Sequence, residues 1–382
     1  MNFISALWTT FIQGSPHAAV DLKLASAYLY KVGGRSHGIA GLASITRKDT
    51  LALSTQRMER TSFGADFGYL PRTYVFPQQR AAFASETSSQ ARPPLSVSQW
   101  ITKPSNDSCG ANITVHSGSE SALSSGSSLL DLAQDENGAH ITSIVSEYLA
   151  KPFTIHKHKF DFRLYAVLVP SKASDRLLAY LYHDGLLRFA TSPYGEHGGD
   201  LTNYSLNEGS ANFVEDDENN PSGLPTSNLD SLKTHKWSLQ SALPFLPPSF
   251  DFHNQATSIL SKVATSAEIE APTSTYELVG LDCMFDQGGK LWLLEVQNRP
   301  NLLAWSGLDR RIKSGLVDEV KELLEALEAS SPAPTNWTLA SYPNASEARS
   351  EAGLDNEGRV LFTEIMKSDK NMHYKHLLDK GR

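Results

Sequence analysis

The apolar positions of the chain fall into a few clear patterns, separated by stretches rich in serine, proline and glycine. The sharpest pattern runs from Tyr276 to Pro300, where Leu278 to Phe285 and Leu291 to Val296 are largely apolar and Asp286-Gln287-Gly288-Gly289 lies between them. Two short apolar runs joined by turn residues predict a β-hairpin. From Lys159 to Leu164 charged and apolar residues alternate, so the two-residue period of a strand puts Lys159, Asp161 and Arg163 on one face and Phe160, Phe162 and Leu164 on the other. Further strands are expected at 100–104, 111–115 and 141–150, with a second hairpin over 177–190 that turns at Asp184-Gly185. Helices are expected in the second half of 39–58 with Thr46 as cap, over 127–133 and over 251–265. The strongest helical pattern is 308–329, where Ile312, Leu316, Val320, Leu323 and Leu324 recur at helical spacing. Residues 80–97 and 221–250 read as Ser/Pro-rich loops, and the last fifty as a loosely packed or partly disordered tail.

The polar residues inside these patterns carry the candidate chemistry. Asp282 lies within the first apolar run of the hairpin, and Glu295 and Gln297 share one face of the second. Pairing across the turn would bring three oxygen ligands to one point, which suits Mg²⁺ held between protein and nucleotide phosphates. On spacing alone, an edge hairpin with solvated acids accounts for them equally well. Lys103 in Trp-Ile-Thr-Lys-Pro is either a solvated strand-end charge or a point contact to phosphate. Lys159, Asp161 and Arg163 beside such a hairpin fit a triphosphate and a carboxylate that must be neutralised and oriented. The small-residue loop 105–110 lacks P-loop spacing.

Composition narrows the class. The 382 residues, 40% hydrophobic and 20% charged, suffice for a substantial core in two or three domains. No run approaches the roughly 20 apolar residues of a membrane span, so no membrane partner is expected. The first residues lack the basic flank and cleavage site of a secretory signal. Two cysteines, Cys109 and Cys283, imply no disulfide framework and a reducing, cytoplasmic setting. In that setting the sequons at Asn336 and Asn344 are chance matches. A net charge of −8 argues against a general nucleic-acid binder.

Six blocks in order resemble the tubulin tyrosine ligase-like family: residues 44–53, 69–77, 100–104, 147–169, 184–206 and 280–300. The resemblance implies an α+β ATP-grasp fold with antiparallel sheets and flanking helices in three subdomains. It divides the chain into an N-terminal subdomain at 1–99 that begins part-way in, a central one at 100–145, a C-terminal one at 146–329 with the nucleotide and Mg²⁺ site, and a polar tail at 330–382. By the same likeness Lys103 would hold the α- and β-phosphates, while Glu147, Tyr148 and Leu149 would form the hinge that reads adenine. Lys159 and Asp161 would contact the nucleotide. Asp282, Glu295 and Gln297 would bind Mg²⁺, Arg163 and Arg188 would clamp carboxylate or acyl-phosphate groups, and Thr202 and Asn203 would line the same pocket. The chain departs from the family pattern at four places: Gln297 stands for the usual Asn, Ser146 for a frequent hinge Gln, and Asp200 for a common His, and the loop after Lys103 lacks a basic residue.

The implied activity is an ATP-dependent ligation of an amino acid to tubulin tails through an acyl-phosphate, with Mg²⁺ as cofactor. Glutamate is favoured, with glycine and tyrosine behind it, and the setting would be cytoplasmic, at microtubules or cilia. Tubulin tails are acidic and so is this chain, so repulsion would slow their encounter. A local basic groove, an accessory subunit that supplies basic surface, and a different protein substrate are the three ways around it. An ATP-binding pseudoenzyme that docks on tubulin is the alternative from another class. A ligase acting on small molecules fits less well with the block at 200–206.

Overall fold

The computed structural model describes residues 39–61, 66–88, 99–105, 113–117, 142–170, 177–196, 199, 201–203, 207, 209–214, 234–269, 276–304, 306–329 and 331–340. Two helices come first, α1 (Ala43–Thr46) and α2 (Lys48–Thr61), separated by the extended backbone of Arg47. Thr46 is not the cap of α2: it is the last residue of α1, and its hydroxyl donates to the carbonyl of Leu42, the residue that precedes that helix. Arg47 stands at the break instead and pairs with Asp49 through Nε and Nη2 at 3.2 and 2.9 Å.

Four strands, β1 (Thr73–Phe76), β2 (Gln99–Pro104), β3 (Thr114–Ser117) and β4 (Ser143–Glu147), form an antiparallel sheet in the order β1-β4-β2-β3. An aromatic cluster of Tyr74, Phe76, Phe83 and Trp100 packs on it. Phe83 belongs to α3 (Arg80–Ser88), a helix in a stretch expected to be loop. Its ring lies 5.2 Å from Tyr74 and 5.0 Å from Trp100, and docking of that one aromatic residue on the sheet outweighs the weak local preference.

The second sheet is larger. It comprises β5 (Thr154–Ile155), β6 (His158–Pro170), β7 (Leu177–Phe189), β8 (Lys236–Ser238), β9 (Glu277–Phe285), β10 (Leu291–Asn298) and β11 (Trp337–Ala340). The order is β10-β9-β6-β7-β11, with β5 on β6 and β8 on β7, all antiparallel. The hairpin expected at 276–300 is β9 and β10. The hairpin expected over 177–190 is absent, because β7 runs through Asp184-Gly185 as one strand paired with β6. The register moves there from Leu164↔Gly185 to Ala166↔Leu181, so the Asp-Gly pair marks a bulge and not a turn. A Cβ at Gly185 would stand 2.6 Å from the Arg163 carbonyl oxygen, and Asp184 accepts from the Gly185 and Gln240 amides. The outer edge of β7 carries β11 before this bulge and β8 after it.

Strand β6 sets the layering. Phe160, Phe162, Leu164, Ala166 and Leu168 enter the main core. A single turn, α4 (Leu239–Ala242), capped by the Ser238 hydroxyl, and α5 (Phe252–Ser266) contribute Leu239, Ala242, Phe252, Ala256, Ile259 and Val263 to the same core. On the opposite face, Tyr165 and Val167 lie under α6 (Gly307–Glu328) with Leu308, Ile312, Leu316 and Val320. The charged residues at 159, 161 and 163 continue that face beyond the end of the second core. Ser306 caps α6 by accepting from the Asp309 amide at 3.1 Å.

Strand β11 forms within the region expected to be a tail, because Trp337 packs on Tyr182 with ring centroids 5.1 Å apart. The Asn336 amide donates to Glu319, which holds that sequon inside the fold. Cys283 is a buried free thiol in β9. The helix expected at 127–133, Cys109, Asp200 and the chain after 340 lie outside the described residues. Among the described residues no helix is long and apolar enough to cross a membrane.

Candidate active site

A cleft of about 1110 Å³, its open mouth included, lies between the two sheets. The four-stranded sheet contributes Lys103 from β2 and Glu147 from β4, followed by Tyr148 and Leu149. The larger sheet contributes Lys159 and Asp161 from β6, Asp282 from β9 and Glu295 from β10, and the segment after β7 adds Thr202 and Asn203. Arg163, Arg188 and Gln297 stand just behind this lining and touch it through Asp282, Asp161 and Glu295.

Asp282 and Glu295 are direct partners across the hairpin. They meet because the register shifts between Leu293 and Glu295, a bulge that turns Leu294 into the cleft and brings Glu295 opposite Asp282. The Gln297 amide nitrogen donates to Glu295, which brings the third expected residue beside the pair with its nitrogen toward the carboxylate. Among the described residues no group of three His, Cys, Asp or Glu side chains forms a metal cage. The adjacent carboxylates of Asp282 and Glu295 nevertheless fit a hard divalent ion that draws its remaining ligands from phosphate and water, and Gln297 would add its carbonyl oxygen once its amide turns.

Cations hold these acids. Arg163 pairs side-on with Asp282, Nε to Oδ1 at 2.5 Å and Nη2 to Oδ2 at 3.0 Å. Arg188 pairs with Asp161 through two bonds of 2.7 Å and reaches Asp282 Oδ2 at 2.9 Å. The Thr202 hydroxyl donates to Asp161 at 2.9 Å and completes a ladder from β9 to the segment after β7. Burial raises the Asp282 carboxyl, but the Arg163 and Arg188 charges outweigh it and hold the group well below its usual range. At Asp161 burial wins over Arg188 and the shift is upward. Burial lowers the Lys103 ammonium, opposed by Glu295, reinforced by Lys48 and opposed again by Asp282 and Asp161, with which it lines the cleft.

The other expected residues are also placed. Lys159 is buried, with Nζ 2.9 Å from the Tyr148 hydroxyl and 4.3 Å from the centre of its ring. The Glu147 amide donates to the Arg72 carbonyl and the Tyr148 amide to that of Gln99, and among the described residues no bond claims the amide of Leu149. Ser146 turns its hydroxyl to Thr73, 2.8 Å away on β1.

Several residues escaped the sequence reading. Lys48, at the start of α2, lines the cleft and pairs with Glu295 at 3.2 Å. Asn207 accepts from the Thr191 amide and donates to the Leu201 and Asn203 carbonyls, which shapes the segment that carries Thr202. Lys236, register partner of Arg188, and Lys313 share the buried Asp309 at 2.9 and 3.4 Å. Lys48 left a signal as a charge next to an apolar helical face, and Lys313 one as a lysine four residues after Asp309 on the predicted helix.

Comparison with known proteins agrees with this architecture. Human tubulin polyglutamylase TTLL5 is 30% identical over 326 residues, 80% of this chain and 23% of the relative. Mouse tubulin polyglutamylase TTLL6 is 30% identical over 307 residues, 74% of this chain and 33% of the relative. Human tubulin monoglutamylase TTLL4 is 29% identical over 307 residues, 74% and 23% respectively. The chain thus spans about a quarter to a third of the length of these curated relatives. The model of the tubulin-tyrosine ligase family matches residues 37–331, and the chain belongs to that family.

Proposed function

We propose that the chain is an ATP-dependent carboxylate–amine ligase of ATP-grasp type that adds glutamate to tubulin tails. The observation that carries this reading is the meeting, in one cleft between two antiparallel sheets, of lysines from both sheets with the Asp282–Glu295 pair. Lysines at 103 and 159 suit the phosphates of a nucleotide, and the Leu149 amide suits the edge of a purine. Relatives named for polyglutamylation and monoglutamylation of tubulin favour glutamate as donor and a tubulin tail as acceptor.

In the reaction, an acceptor carboxylate oxygen attacks the γ-phosphorus and ADP leaves. The amine nitrogen of the free amino acid then attacks the acyl carbon, phosphate departs with the carboxylate oxygen, and the nitrogen gives up a proton as the amide forms. Asp282, Glu295 and Gln297 would hold Mg²⁺, which when bound neutralises developing phosphate charge. Arg163 and Arg188 orient the anionic groups, Thr202 fixes the Asp161 end of their ladder, and Lys103 offsets charge on the triphosphate.

Glu295→Gln keeps the size of the side chain and removes its charge. Turnover should fall to background while the unfolding midpoint stays close to that of the parent; surviving turnover would overturn the metal assignment. The donor and acceptor are read by incubating the protein with Mg-ATP, tubulin and labelled glutamate, glycine or tyrosine in parallel, followed by mass spectrometry of the tails. ATP bound without any increment would favour the pseudoenzyme, and an increment on another protein of a lysate would move the acceptor.

A further inference from the structure

Arg163 and Asp282 face each other directly across β6 and β9. The arginine side chain leans along β9 over Gly280, two residues before Asp282 and therefore on the same face of the sheet. A Cβ built at Gly280 would stand 3.1 Å from Arg163 Cδ, 3.4 Å from Arg163 Nε and 3.2 Å from Pro300 Cβ. The glycine gap is thus filled by the arginine and walled on the other side by a proline ring. Neither wall gives easily: Nε is fastened to Asp282 Oδ1 at 2.5 Å, and the pyrrolidine cannot swing aside.

We propose that Gly280 is a positioning residue for Arg163. By carrying no side chain it lets the arginine lie low on the sheet and pair side-on, through Nε and Nη2, with Asp282. That pairing leaves the guanidinium edge carrying Nη1 to meet a second anion, so one arginine serves the internal aspartate and an incoming carboxylate or phosphoryl group together. Any larger residue at 280 lifts the Cδ–Nε arm, and the arginine exchanges the side-on pair for an end-on one that uses both Nη groups on Asp282. The role given to Arg163 rests on the ligase reading; the contact with Gly280 does not.

The experiment separates the two. Thermal unfolding of the full chain is measured for the parent, Gly280→Ala, Arg163→Ala and the double variant. Gly280→Ala is expected to lower the midpoint clearly more in the parent than once Arg163 is alanine, because the contacts with Arg163 Cδ and Nε are then gone and only the Pro300 wall remains. An equal loss in both backgrounds would overturn the proposal. Should Gly280→Ala not fold, Gly280→Ala/Pro300→Ala removes one wall and takes its place; failure of both to fold, whatever stands at 163, would assign the glycine to strand pairing and sink the idea. In the ligase assay Gly280→Ala should raise KM for the amino acid about tenfold with nucleotide affinity unchanged, and an unchanged KM would count against the second anion. If the parent chain binds no nucleotide, the ligase reading falls, and the stability cycle still decides the role of Gly280.

Discussion

Lys313 reaches from α6 to Asp309 and to the Leu303 carbonyl, and shares that aspartate with Lys236. Burial, reinforced by the charges of Lys236 and Arg163, lowers its ammonium to about 8 against the pull of Asp309. A lysine whose folded pKa lies below the unfolded value binds fewer protons when folded, so between the two values stability increases as pH rises. Between about pH 8 and about pH 10 the urea midpoint of Lys313→Met should gain less with pH than that of the parent, the titration of unfolded cysteine and tyrosine in the same window acting equally on both proteins. Equal slopes for both proteins would place the titration elsewhere. The Asp309–Lys313 pair was open to the sequence, since the two stand four apart on one helix, but Lys236 joins them only through the register of β8 on β7 and the docking of α6. Lys159, Asp161 and Arg163 were legible, because a strict two-residue alternation inside an apolar strand admits one sidedness. Their internal pairing with Asp282, Arg188 and Tyr148 was not, because each partner comes from another strand or segment.

At the scale of the element, local chemistry spoke clearly wherever period and punctuation agreed. The hairpin of β9 and β10 has apolar runs and a Gly-Gly turn, and α6 has a helical stripe behind a serine cap. Ser306→Ala removes the acceptor for the Asp309 amide and should cost about 1 kcal/mol in a denaturant titration. No measurable cost would mean that the first turn of α6 is held by its side-chain contacts alone. Punctuation misled at Asp184-Gly185, where the same dipeptide that closes hairpins also tolerates a bulge, and the choice was made by β6 pairing along both halves of β7. Composition misled at α3, where one phenylalanine finds Tyr74 and Trp100 on a sheet whose strands come from distant parts of the chain. Strands β8 and β11 are too short to show a period and exist through the edge of β7.

At the scale of the molecule, the cleft makes two sheets answer to one ligand. A nucleotide bridging Lys103 on one sheet and Lys159 on the other would stabilise the folded state by about 2.7 kcal/mol at a hundredfold excess over Kd. A non-hydrolysable Mg-ATP analogue should therefore raise the melting temperature of the parent. Lys103→Ala should lose most of that rise without losing its own fold; an undiminished rise would remove Lys103 from the phosphate site.

The placement of β11 bears on where the folded unit stops. The family match ends at residue 331, and β11 follows it at Trp337–Ala340, hydrogen-bonded along Ala179 to Tyr182. A chain cut at the family limit would leave that stretch of β7 with a bare row of amide and carbonyl groups, the template on which one molecule adds to the next. The extent of the family match is therefore not a guide to where this chain can be cut, and a fragment meant to keep 179–182 of β7 covered has to run through Ala340.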